Sequence, residues 1–117
     1  MLIIESGDDV GNQLAAVTDR LHSLLDGMEH GEKPARAHVE ATMTDGYACA
    51  LSLDAECRRL ESNISENAAH LAEERSEERA LELSALARLL ARRRQERDSL
   101  RDLLAVLQTG VREARVA

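Results

Sequence analysis

Apolar residues recur along most of this chain at alternating steps of four and three, the spacing that lays a single stripe down one side of an α-helix. The longest beat runs Val39, Met43, Gly46, Ala50, Leu53, Cys57, Leu60, Ile64, Asn67, Leu71. A second runs Leu83, Leu86, Leu90, Arg93, Arg97, Leu100, Leu104, Leu107, Val111. Each reads as the seam of a helix packed lengthwise against a partner helix. The step from Leu71 to Leu83 is twelve residues, which is no sum of whole heptads, so one straight seam cannot carry both. A break is therefore expected between them, although the 63 residues from Tyr47 to Thr109 contain no glycine or proline to mark it.

The most polar window lies at Glu73–Arg79, where Ser76 followed by two glutamates makes a suitable cap and first turn. Two rival arrangements stay open: a break at Ser62-Asn63-Ile64-Ser65, where helix propensity is weak, and one uninterrupted helix. Upstream, Val10, Leu14, Val17, Leu21, Leu24 and Met28 keep the same beat behind Asp8 and Asp9, either of which can cap a helix start. Gly27, Gly31 and Pro34 then crowd together, which is exit chemistry for a helix. The pattern predicts a single helical domain over 1–117: a tail (1–8), a first helix (9–30), a second (35–74), a third (76–109) and a closing tail (110–117).

The first half of the second helix carries another apolar face, formed by Ala37, Ala41, Ala48, Leu51 and Ala55, roughly opposite its seam. The first helix has the length to cover that half alone, and is expected to lie there. Gly46 either kinks the second helix or lets the third approach closely. The predicted class is all-α: three helices with a long, coiled-coil-like antiparallel hairpin, dimerising into a helical bundle.

Composition sharpens this picture. There is one aromatic residue, Tyr47, so the core must be built from Leu, Ala, Val and Ile, and 32% of the chain is charged. That is the composition of long, surface-rich helices rather than of a thick globule. No apolar run is long enough for a membrane span, and Met-Leu-Ile-Ile is followed at once by acids; a soluble, cytoplasmic protein is expected. Residues 1–87 carry a net charge of −11 and residues 88–117 a net of +4, which combine to −7. Folding the third helix back on the second brings Arg93 and Arg97 to Asp54, Glu56, Cys57 and Glu61. Cys49 and Cys57, eight residues and about 12 Å apart along one helix, cannot bridge each other and are expected as buried thiols.

Few residues look like chemistry. Arg92, Arg93, Arg94 and Arg97 form a cluster suited to an anion or a partner protein, but acids are interleaved and no aromatic residue offers a stacking face, so specific nucleic-acid binding is not expected. The four histidines are scattered, and Glu66 with His70 is at most a two-ligand face. No phosphate loop, nucleophile elbow or Cys-x-x-Cys occurs, and neither cofactor nor metal is implied. Leu81, Ala85 and Leu89 form a second stripe facing away from the third helix's seam, and Asn67 places a polar group in the second helix's seam. Both are features of an interface that sets partner and register. The expected function is a non-catalytic interaction module (an adaptor, small chaperone or regulatory coiled-coil protein) that is homodimeric and binds a protein partner. A nucleic-acid-associated regulator using the arginines is the runner-up. An enzyme holding an anionic substrate at Arg93 and Arg97, beside Asp54 and Cys57, is the third reading.

Overall fold

The computed structural model describes residues 2–116, with side chains described from 10 to 114. It consists of α1 (Leu2–Glu29), α2 (Arg36–Glu73) and α3 (Glu77–Val116), so that 91% of the chain is helical, with no strand among the described residues. None of these helices is long and apolar enough to cross a membrane.

The helix ends follow from local chemistry. After α1 the chain closes a Schellman turn: Glu32 N–H donates to Gly27 C=O at 2.9 Å and Gly31 N–H to Met28 C=O at 3.1 Å. This puts Gly31 at φ 81°, where any side chain would be strained. Pro34 then precedes the first turn of α2, which Val39 N–H opens by donating to Ala35 C=O. Between α2 and α3 the break falls at Ser76. Its Oγ accepts from Arg79 N–H at 3.3 Å and its carbonyl from Ala80 N–H at 3.0 Å, capping α3 where Glu77 and Glu78 complement the helix dipole.

Both expected tails differ. Residues 2–8 belong to α1, because extending a helix that already exists costs far less than nucleating one. The caps expected at Asp8 and Asp9 lie outside the residues with described side chains. Gly110 does not end α3. A Cβ there would come 3.0 Å from Met28 Cε, so this glycine serves packing, and 111–116 continue the helix.

The chain divides into two compact units, to both of which α2 and α3 contribute. The three-helix unit comprises Met1–Ser52 and Asp98–Ala117. Its core is made of Val17, Leu21 and Leu24 from α1, Val39, Thr42, Cys49 and Ala50 from α2, and Leu100, Leu104 and Leu107 from α3. Gly46 is buried in an unbroken helix, and a Cβ on it would meet Leu104 Cδ2 at 2.6 Å; its role is close approach, not a kink.

Here one expectation is overturned. Ala37, Ala41, Ala48 and Leu51 are exposed, Leu51 by 65%, and so is Ala55; α1 does not cover that face. It packs instead on the flank carrying Thr42 and Asp45. Arg20 donates to Asp45 Oδ2 at 2.7 Å and to the fully buried Thr42 Oγ1 at 3.2 Å. The physical reason is geometric: a third helix laid on an antiparallel pair buries most surface in the groove between the two. It therefore touches positions roughly 60–80° round from the seam rather than the opposite side, at 3.6 residues per turn.

The two-helix unit, Leu53–Arg97, holds the end of α2 and the start of α3. Its cross-links are Asp54 with Arg97, Glu56 with Arg93, Glu61 with Arg94 and Asn67 with Arg79. From Asp54 with Arg97 at one end to Asn67 with Arg79 at the other, residue numbers rise on α2 and fall on α3, so this pair is antiparallel. Cys57, Leu60 and Leu90 form its core, with Ile64, Leu86 and Leu89 packed against them.

Candidate functional site

The charged cluster of the two-helix unit grows out of two arginines standing on a leucine seam. Arg93 follows Leu90 by three residues and Arg97 by seven, so helical geometry turns both towards α2. A guanidinium in that position must find acceptors, because an unpaired buried charge is strongly unfavourable. Arg93 is only 8% exposed. Its Nε donates to Glu56 Oε1 at 3.1 Å and its Nη1 to Glu96 Oε1 at 2.8 Å. Burial disfavours its charge, yet the hydrogen bonds to Glu96 and Glu56 outweigh this and raise its pKa further, so Arg93 stays cationic. Arg97 Nη1 reaches Asp54 Oδ1 at 3.2 Å, and Arg94 pairs at 3.4 Å with Glu61 on the solvated edge.

Three of the four arginines named from the sequence are therefore brought together and matched with carboxylates. Arg92 is exposed and, among the described residues, has no ion-pair partner; neighbouring Arg88 is the same. Glu56, expected within reach of these arginines, is buried more deeply than its spacing indicated. It lies one position before seam residue Cys57, yet is almost wholly buried, and its Oε2 accepts no hydrogen bond within the chain. The available signal was a heptad step: Thr42, Cys49 and Glu56 are seven apart and all buried. Cys57 itself is inert chemistry. Burial pushes its thiol above the ordinary 9.0, a shift that Arg97 and Arg94 oppose without overcoming.

The residues expected at an interface separate into two groups. Leu81 is 71% exposed and Ala85 is exposed with it. Leu89 is not part of that outward face. It stands one turn after Leu86, at the border of the seam, and its side chain packs onto the Cys57–Leu60–Leu90 cluster. Asn67 is half-buried and committed within its own chain: Nδ2 donates to Asn63 C=O at 2.8 Å and Oδ1 accepts from Arg79 Nη1 at 3.4 Å. A shallow apolar groove opens beside the turn, with Leu71, Ala72, Ala80 and Leu83 in its walls. Glu66 and His70 are exposed, and no group of three potential metal ligands occurs among the described residues.

In comparisons with known proteins, no family model, no curated protein and no solved structure matches the chain.

Proposed function

We propose that this protein is a non-catalytic interaction module of the cytoplasm, a small adaptor or regulator whose two-helix unit pairs with another helical surface, in the first instance a second copy of itself. The observation that carries this reading is the exposed Leu81–Ala85 face on a unit only two helices thick. A leucine side chain stabilises by about 1.5–3 kcal/mol when buried, so covering this face is strongly favoured. Glu and Arg residues flank it and select the partner, since affinity comes from the stripe and discrimination from the charges.

Two observations weigh against the alternatives. A nucleic-acid interface would draw on a cluster in which Arg93, Arg94 and Arg97 are already paired with carboxylates, while Arg88 and Arg92 beside them are exposed. An anion-binding active site at Arg93 and Arg97 would have to displace Glu56, Glu96 and Asp54, beside a thiol whose pKa is raised rather than lowered. The test is co-expression of two differently tagged copies, with capture on one tag and detection of the other. Wild type is expected to retain its copy, and Leu81→Asp with Ala85→Asp to lose it. Equal recovery of both, or no recovery of either, would contradict the proposal.

A further inference from the structure

The three-helix unit has a second open surface with a different character. Where the α1–α2 turn meets the end of α3, an apolar groove of about 1210 Å³ opens to solvent. Leu25 and Met28 of α1, Val39 and Met43 of α2, and Val106 and Val111 of α3 form its floor. Val106 is 56% exposed, and of the floor only Val39 is buried. The groove has no convergent set of polar groups of the kind that orients a small ligand. Two methionines among six floor residues give it walls that adapt to an incoming side chain, the property that helix-receiving grooves share.

The rim says what kind of helix. Among the described residues, Glu29, Glu32, Glu40 and Glu113 stand on it against Lys33 and Arg36, four carboxylates to two cations and a net charge of −2. Arg36 is already held by Glu40 at 2.9 Å. Glu29, Glu32 and Glu113 are exposed and have no ion-pair partner among the described residues. An apolar floor inside an acidic rim complements an amphipathic helix whose polar flanks are basic, and repels an acidic one. The chain's own basic stretch, residues 88–117, already has its apolar seam buried within the chain at Leu90, Leu100, Leu104 and Leu107, so a second copy has no such helix to offer.

We propose that this groove receives an amphipathic helix of another protein, apolar on one face and rich in lysine or arginine on its flanks. The proposal extends the interaction reading to a separate surface and stands or falls independently of the Leu81 face.

The probe is a fluorescein-labelled Leu/Lys peptide of about 18 residues, long enough to hold helix on binding, with its leucines on one helical face. Its controls are a scrambled peptide of the same composition and a Leu/Glu peptide of the same pattern. Anisotropy with the full chain in about 150 mM salt should show saturable, roughly micromolar binding of the patterned Leu/Lys peptide alone. Val106→Asp should weaken it at least about tenfold, as should the triple reversal Glu29→Lys, Glu32→Lys, Glu113→Lys, whereas Leu81→Asp leaves it unchanged. The triple variant changes only exposed side chains, so it preserves the test should Val106→Asp disturb packing. Binding of the scrambled or Leu/Glu peptide within about twofold of the patterned one, or insensitivity to both groove variants, would overturn the proposal. So would loss of binding with Leu81→Asp, which moves the site to the two-helix unit, or loss of self-association with Val106→Asp, which gives the groove to a second copy.

Discussion

The residue with the most at stake is Arg93, a permanent charge placed where a leucine would continue the seam. Its carboxylate partners make that placement tolerable, and Glu56, nearly as buried, depends on it in return. Arg93→Met should therefore destabilise by about 3–5 kcal/mol in urea unfolding, because it strands Glu56. Arg93→Met combined with Glu56→Leu should recover most of that loss, since a buried ion pair often does no better than well-packed apolar side chains. Strictly additive losses in the double-mutant cycle would contradict the coupling. Cys57 gives a pH dependence of known sign. With its native pKa raised above 9.0, the folded state holds the proton more tightly than the unfolded chain. The stabilisation from this group is complete below about 9 and fades as pH climbs from there through the higher native value. Stability of wild type relative to Cys57→Ala should fall across that window, and parallel curves would count against a buried neutral thiol. Arg93 and Arg97 could be placed on the seam from spacing alone. Glu56 could be placed within their reach, but its burial could not be read, because it lies off the beat and depends on where the partner helix puts Arg93.

At the scale of the elements, what the four-three beat captured is the α2–α3 pairing and the position of the break. Ser76 could be read because a serine followed by two acids has a specific use at a helix start, and the observed cap is that use. The side on which α1 packs was not readable. The alanine face and the Thr42 flank of α2 are both compatible with a neighbour, and groove geometry decided for the flank. Alanines and Leu51 were thus left in solvent while a threonine was buried. Gly46 shows how two local rules compete. Replacing a helical glycine by alanine gains up to about 1 kcal/mol in propensity, but the new methyl would lie 2.6 Å from buried Leu104. Overpacking of that kind costs about 1–3 kcal/mol, so Gly46→Ala should be net destabilising. Gly11, with nothing within 4 Å of its Cβ position, is the control, and Gly11→Ala should raise stability. Thermal melts moving the same way for both variants would show that packing at Gly46 is looser than the helix spacing implies.

At the scale of the whole molecule, the chain contains two units with different unfinished surfaces. The three-helix unit buries a core with all three helices and leaves an acid-rimmed groove. The two-helix unit pairs Arg93, Arg94 and Arg97 with its own carboxylates and leaves an apolar face outward. Fold class and thinness followed from composition, since a chain with one aromatic residue cannot fill a thick core. A protein partner was already favoured over nucleic acid from the sequence; which arginines are neutralised within the chain was not legible there, because that is set by side-chain geometry across the hairpin. The central claim is that the Leu81–Ala85 face is covered by a second copy in solution. Sedimentation equilibrium on wild type and on Leu81→Asp with Ala85→Asp tests it most directly. Wild type should approach twice 12.9 kDa at micromolar concentration, and the variant should remain at 12.9 kDa with unchanged helix content. A wild-type monomer throughout that range, or a dimer indifferent to both substitutions, would contradict the account.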